Sequence, residues 1–332
     1  MDPTELVPLG RTGLQVTRLG LGTAPLGGLY TEVAEGQAVA AVEAAWAAGL
    51  RFYDTAPLYG NGLAEQRLGL ALRRRPRTDY VLATKVGRLL RADAPPEPGQ
   101  AFKGAPPVHP RFDFSAMGAR QSLAESMERL GLERVDILHI HDPDDHHDEA
   151  LAGAFRALAE LRSRGKIRGI GAGMNQAAML ARFAREADFD CFLLAGRYTL
   201  LDQSGLADLL PLCAERGIAV ICGGVFNSGI LADPLADPRY NYAPAPPQVV
   251  ERALQLQAVC ERHGVPLAAA AIQFPLGHPA VASVVVGARS AAELDQDLRM
   301  FRWPIPSALW AELRRQSLIA AEAPVPQASP RS

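Results

Sequence analysis

Asp54, Tyr59, Lys85 and His141 are a carboxylate, a phenol, an ammonium and an imidazole, each placed at or just beyond the end of an apolar run. Asp54 lies in the run Arg51–Ala56, with Tyr59 five residues on; Lys85 lies near the end of Tyr80–Val86, and His141 ends Val135–His141. Together these types make a proton-transfer device. A tyrosine titrates near pH 10, too high for efficient general acid–base work near neutrality. A neighbouring ammonium favours the phenolate, so Lys85 is expected to lower the Tyr59 pKa, with Asp54 holding Lys85 charged and oriented. A neutral His141 can donate a hydrogen bond to a carbonyl oxygen and hold it beside the Tyr59 hydroxyl. Any one of these residues at a strand end is more often half of an ion pair; their joint occurrence on consecutive strands carries the reading. A strand-end lysine can also form a Schiff base, as in a lyase, but that use of Lys85 leaves the Asp54–Tyr59 spacing unexplained.

Such chemistry needs strand ends that converge. Apolar segments at Thr17–Gly22, Arg51–Ala56, Tyr80–Val86, Val135–His141, Ile167–Gly173, Cys191–Ala195, Ala219–Cys222 and Ala282–Gly287 read as strands. Amphipathic segments lie between them, over Glu35–Ala48, Leu63–Arg74, Ser115–Leu130, Glu149–Ser163, Gln176–Glu186, Gly205–Arg216 and Gln248–His263, with a further helix after Pro266. The alternation is that of βαβ units around a parallel sheet. Gly49, Gly131, Gly165 and Gly217 each follow a helical segment and predict left-handed C-caps. Eight strands with about as many helices predict an α/β fold, a (β/α)8 TIM barrel in one domain over residues 1–320, rather than an open sheet. Val7–Leu9 and Leu14–Val16 predict an N-terminal β-hairpin capping the barrel bottom. Two long βα loops, Leu89–Phe114 and Asn227–Pro247, follow barrel strands and should overhang the C-terminal face, where barrel active sites lie. Residues 321–332 alternate Pro, Ala and Ser and are expected to fray.

Composition excludes several classes. With 48% hydrophobic residues, 34 Lys+Arg against 36 Asp+Glu and a formal charge of -2, the chain is too apolar for disorder and has no electrostatic reason to bind nucleic acid or an anionic membrane. Met1–Glu5 lacks the basic and apolar regions of a signal peptide, and Gly264–Ala288 is interrupted by Pro266, Gln273, Pro275, His278 and Pro279, so no membrane span and a cytoplasmic location are expected. Cys191, Cys213, Cys222 and Cys260 form no Cys-x-x-Cys and read as reduced, small apolar side chains. The run His141–Asp148 mixes His and Asp, but contiguous loop residues seldom converge on one ion, so no metal is expected. His139 shares a strand face with His141 and reads as a hydrogen-bonded core histidine.

Longer motifs make the resemblance specific. Phe52-Tyr-Asp-Thr-Ala-Pro-Leu-Tyr-Gly60 and Glu65-Gln-Arg-Leu-Gly-Leu-Ala-Leu72 resemble the Asp-Thr-Ala…Tyr-Gly…Glu…Leu-Gly signature of the aldo-keto reductases. Ala83-Thr-Lys85, Val135-Asp-Ile-Leu-His-Ile-His141, Leu9-Gly-Arg-Thr-Gly-Leu14 and Leu19-Gly-Leu-Gly-Thr23 are similar to that family's other segments. The resemblance implies a (β/α)8 barrel that transfers hydride between a nicotinamide and a carbonyl. It implies Tyr59 as acid/base, Lys85 and Asp54 as its tuning groups, and His141 as the group that orients the carbonyl. Some barrels of this kind are regulatory subunits without turnover, a role the intact set of four disfavours.

Gly169-Ile-Gly-Ala-Gly-Met-Asn-Gln176 and Cys222-Gly-Gly-Val-Phe-Asn-Ser-Gly-Ile-Leu231 depart from the common family pattern and resemble its L-fucose or D-threo-aldose 1-dehydrogenases and pyridoxal 4-dehydrogenases. The resemblance implies cofactor contacts at Gly22, Thr23, Asp54, Asn175, Gly223, Gly224, Phe226, Gly287, Arg289, Glu293 and Asp297, and substrate contacts at Tyr59, His141, Asp142 and Asn227. Glu293 stands where members preferring NADP have a basic residue. A carboxylate there accepts from a ribose 2′-hydroxyl and repels a 2′-phosphate, which favours NAD. Arg289 keeps NADP open, since a guanidinium can pair with phosphate. The expected substrate is a small sugar or aldehyde: an aldose of the L-fucose, D-arabinose or L-galactose type oxidised at C1 to a lactone, with pyridoxal or a general aldehyde as alternatives.

Overall fold

The computed structural model describes residues 1–96 and 101–327. An antiparallel hairpin, β1 (Leu6–Pro8) and β2 (Gln15–Thr17), precedes the barrel. The chain then runs through β3 (Leu19–Gly22), α1 (Glu35–Ala47), β4 (Phe52–Asp54), α2 (Leu63–Leu72), β5 (Val81–Val86), β6 (Arg88–Arg91), β7 (His109–Phe112), α3 (Ala116–Leu130) and β8 (Ile137–His141). Next come α4 (His147–Glu149), a π-helical turn at Ala150–Phe155, α5 (Arg156–Ser163), β9 (Gly169–Met174), α6 (Ala177–Glu186), β10 (Cys191–Ala195), α7 (Leu209–Arg216) and β11 (Ala219–Gly223). The last part holds β12 (Arg239–Tyr240), β13 (Ala243–Pro244), α8 (Pro247–Arg262), α9 (Leu267–Gln273), β14 (Val281–Gly287), α10 (Ala291–Arg302) and α11 (Ser307–Arg315). Strands β3, β4, β5, β8, β9, β10, β11 and β14 close in that order into a parallel barrel, the expected (β/α)8 architecture. The last two helices were not among those read from the sequence.

The two-residue period of the strands decides which side chains enter the barrel. Phe52, Val81, Ala83, Ile137, Cys191, Leu193, Ala219 and Ile221 pack inside, with Leu9 and Val16 of the hairpin plugging the bottom. Tyr53, Leu82, Leu138, Ile140 and Val220 join the shell between strands and helices. Asp54 shares the parity of Phe52, Lys85 that of Val81 and Ala83, and His139 and His141 that of Ile137. The alternation that builds the core therefore aims these four polar side chains at the barrel axis. Room for them comes from β9, whose alternate positions carry no side chain. A Cβ at Gly171 would lie 2.2 Å from Nδ1 of His139, and one at Gly173 would touch Cε of Lys85 at 3.4 Å.

Helix ends follow the predicted caps. Gly49, Gly131, Gly165 and Gly217 have φ of 88°, 62°, 67° and 66°. Ser115 caps α3 by accepting from Gly118 N–H at 3.0 Å. Glu65, buried on α2, accepts from the Thr84 hydroxyl at 2.7 Å and from Nε of Arg129 at 2.6 Å, locking α2 to β5 and α3.

Each of the two long loops carries a short antiparallel ribbon among its described residues. β6 and β7 form an antiparallel ribbon over the third βα connection, and Phe102 bridges to Leu29. β12 and β13 form a second, smaller ribbon. Residues after Ala321 also pack: Ala323 is buried, and its carbonyl accepts from Arg314 at 2.6 Å. Positions 328–332 of the expected flexible tail lie outside the described residues. Among the described residues no helix is long and apolar enough to cross a membrane.

Candidate active site

At the C-terminal mouth, Lys85 donates to both Asp54 oxygens, at 2.7 and 3.0 Å, and to the Thr55 carbonyl at 2.9 Å. Both side chains are almost fully buried. Burial raises the Asp54 carboxyl from its ordinary value, and the ammonium opposes that rise. The ammonium also lies 4.7 Å from the centre of the Tyr59 ring. The Tyr59 and His141 rings meet edge to face at 5.9 Å, and Phe102 leans on the far side of Tyr59 at 6.3 Å.

Burial acts on Tyr59 more strongly than any single neighbouring charge. Its phenol is pushed well above 10, first by burial and then by the Asp54 and Asp142 carboxylates, against the opposing Arg88. His141 is shifted the other way. Burial and the nearby cations Arg88 and Lys85 hold its imidazole well below the ordinary value, hence neutral near pH 7. The same contacts oppose a Schiff-base role for Lys85, which would need a free, neutral amine.

His139 lies one layer below, beside Lys85 in the strand register. It is a core residue, but the expected hydrogen bonds are absent: neither ring nitrogen has a partner among the described residues. Burial, with help from Lys85, lowers its pKa to about 3. The run after His141 is used for packing. His146 stacks near Phe112 and Phe114, and His147 stacks on Phe183 at 4.8 Å and pairs with Asp148. Among the described residues no group of three His, Cys, Asp or Glu side chains could hold a metal ion.

A cavity of about 650 Å³ opens from Tyr59 and runs over the ends of β3, β11 and β14. Gly22, Thr23, Asp54, Asn175, Gly223, Gly224, Phe226, Gly287, Arg289, Glu293 and Asp297 all line it. Of the residues expected at the substrate, Tyr59 and Asn227 line the same cavity, while His141 and Asp142 stand outside its lining. Asn227 is buried in a left-handed conformation with φ of 45° and donates to the Gly196 carbonyl at 3.2 Å. At the far end, Glu293 accepts from the backbone N–H of Arg289 at 2.8 Å and pairs with its guanidinium at 2.6 Å. Asp297, one turn on, is raised to about 7 by burial and by the Glu293 charge.

Sequence reasoning missed Arg88 and Tyr30, while Tyr242 belongs to the polar loop residues that the sequence offers to a polyhydroxylated ligand. Tyr30 and Tyr242 line the cavity; the Arg239 guanidinium lies 5.1 Å from the Tyr30 ring, and Tyr242 N–H donates to Ser228. Nothing in its spacing marks Tyr30. Arg88 had a signal, as a basic residue three positions past Lys85 at a strand mouth.

The cavity fits a nicotinamide dinucleotide in size and chemistry. Its volume lies within the roughly 300–1,000 Å³ of small-molecule sites. Two buried polar atoms on its wall, Oγ1 of Thr23 and Oδ1 of Asn227, have no protein partner among the described residues. Such atoms are costly to bury unless a ligand or water satisfies them. Residues 18–317 match the model of the aldo/keto reductase family.

The chain belongs to the aldo/keto reductase family.

It is therefore an oxidoreductase that works with a nicotinamide cofactor. This aldo/keto reductase is 45% identical to a D-threo-aldose 1-dehydrogenase of Pseudomonas sp over 92% of its own length and 96% of that protein. It is 44% identical to a pyridoxal 4-dehydrogenase of Microbacterium luteolum, covering 96% of this chain and 99% of that one. An L-galactose dehydrogenase of Arabidopsis thaliana is 34% identical over 90% of this chain and 88% of its own. Among solved structures, an aldo-keto reductase from Bacillus halodurans superposes with a TM-score of 0.74 at 25% identity, covering 96% of this chain and 98% of its own.

Proposed function

We propose that this enzyme oxidises C1 of an aldopyranose to a lactone, using NAD. Nicotinamide, when bound, accepts the hydride. The chain's own residues handle the proton: Tyr59 receives it from the C1 hydroxyl, Asp54 and Lys85 hold the phenol in place, and neutral His141 donates to the C1 oxygen. The observation that carries the reading is Tyr59 on the cavity wall with the His141 ring edge-on to it at 5.9 Å, backed by the buried Asp54–Lys85 pair. A cyclic sugar suits this site because one carbon gives up a hydride and a proton together. The names of two relatives, a D-threo-aldose and an L-galactose dehydrogenase, point the same way. The pyridoxal 4-dehydrogenase relative supports a second substrate, whose cyclic hemiacetal permits the same chemistry. Parallel kcat/KM values for L-fucose, D-arabinose and pyridoxal decide between them. A sugar is expected to lead. Pyridoxal ahead of every sugar by tenfold, about 1.4 kcal/mol in transition-state stabilisation, would sink the sugar assignment and leave the redox chemistry standing.

Cofactor preference is proposed from Glu293. Its carboxylate already engages Arg289, so a 2′-phosphate would have to displace that pair and face Glu293 and Asp297. A clash of about 1–3 kcal/mol corresponds to roughly 5- to 150-fold in affinity. NAD should bind better than NADP by that margin, and Glu293→Arg should narrow or invert the ratio. Equal binding of both by the wild type, measured by fluorescence titration, overturns the assignment.

The raised Tyr59 pKa sets the pH dependence. Oxidation needs the phenolate, whose fraction grows with pH, so turnover should climb from neutral pH and still be climbing at pH 10. Reduction needs the neutral phenol, which is present throughout that range, so its rate should stay flat across it. A flat oxidative profile, with a deuterium effect showing that hydride transfer limits the rate, contradicts the assignment.

A further inference from the structure

We propose that Arg88 and Asp142 form a subsite that reads the C2 hydroxyl of the substrate. The inference rests on the aldose reading above and deepens it. Arg88 Nη2 lies 2.7 Å from Oδ2 of Asp142, and the same oxygen lies 3.5 Å from Nε2 of His141. The ion pair thus stands beside the nitrogen assigned to the C1 oxygen. On an aldose the C2 hydroxyl is one carbon from that position, so an oxygen held by His141 brings it within reach of the carboxylate. A carboxylate accepts from a hydroxyl and a guanidinium donates to one, so the pair offers both halves of a vicinal diol their complement.

The pair is built rigidly. The Arg88 side chain is only 7% exposed and its guanidinium packs 4.7 Å from the centre of the Phe112 ring, while Asp142 keeps 27% of its side chain accessible. Asp142 is held in a left-handed conformation, φ 43°, by its N–H bond to the Gly173 carbonyl at 3.0 Å. Neither feature is explained by stability. Apolar residues of similar volume often replace a buried ion pair without loss, and left-handed backbone at a non-glycine residue is strained. Both make sense if the carboxylate must point at a ligand. The sequence also fits: Asp142 follows His141 directly, and Arg88 follows Lys85 after the Gly87 turn, so the pair stands just past the ends of two strands that carry proposed catalytic groups.

The test compares two substrates that differ only at C2. D-arabinose and 2-deoxy-D-ribose share every other centre. The wild type should prefer D-arabinose in kcat/KM by about 10- to 150-fold, the range for losing a hydrogen bond to a charged group. Arg88→Met and Asp142→Asn should each bring that ratio towards one. Asp142→Asn keeps the shape of the side chain and serves if Arg88→Met fails to fold; thermal unfolding of each variant shows whether it did. A wild-type preference that survives in a folded variant overturns the subsite while leaving the aldose reading intact. A wild type that oxidises pyridoxal and no aldose overturns the reading and the subsite together.

Discussion

Replacing Tyr59 with Phe is expected to lower kcat by about 10²- to 10⁴-fold while leaving NAD affinity near the wild-type value. The change removes one oxygen and nothing else. The ring keeps its contacts with Lys85, His141 and Phe102, so the mouth should hold its shape. Cofactor affinity should persist because the residues lining most of the cavity lie beyond Tyr59, at the ends of β3, β11 and β14 and in the segments that follow them. Stability should change little and in the favourable direction, since a buried hydroxyl flanked by two carboxylates is lost. Burst-phase and steady-state rates with the best sugar, beside a fluorescence titration of NAD, check both halves. Near-normal turnover in a folded variant would assign the proton to another group.

The barrel was legible because short apolar runs alternate with amphipathic helical segments and four helices end on left-handed glycines. Asp54, Lys85 and His141 could be placed at the mouth because parity with Phe52, Ala83 and Ile137 decides their direction. What escaped was set by partners distant in sequence. The direction of the Tyr59 shift is set first by burial, which spacing does not reveal. Arg88 finds Asp142 across 54 residues. The ribbon joining Arg88–Arg91 to His109–Phe112 lay in a proline-rich loop, where a short strand leaves no period to read. His139 had the right place and the wrong partners, because nothing in the sequence shows that the glycines of β9 leave its ring facing carbon and backbone.

The buried Asp54–Lys85 pair separates stability from catalysis. Lys85→Met should destabilise the fold by about 3–5 kcal/mol near neutral pH, the usual cost of stranding one charge of a buried pair. Asp54 keeps only 3% of its side chain accessible, so water cannot replace the ammonium. Burial already raises the Asp54 carboxyl and Lys85 alone restrains it, so removing Lys85 raises it further. Between the unfolded and folded pKa values the native state then binds more protons than the unfolded state, and stability falls as pH rises through that window. The deficit should therefore be small in acid, grow with pH and level off above the folded pKa. Urea unfolding at several pH values reads this directly. Asp54→Leu combined with Lys85→Met removes both charges and should recover most of the lost stability. Oxidation should stay impaired, by about 10²-fold or more, because Tyr59 loses the groups that hold it. A single Lys85→Met variant as stable as wild type at every pH refutes the energetic argument. A double variant that regains turnover along with stability shows the pair to be a core element alone, with no part in the proton transfer.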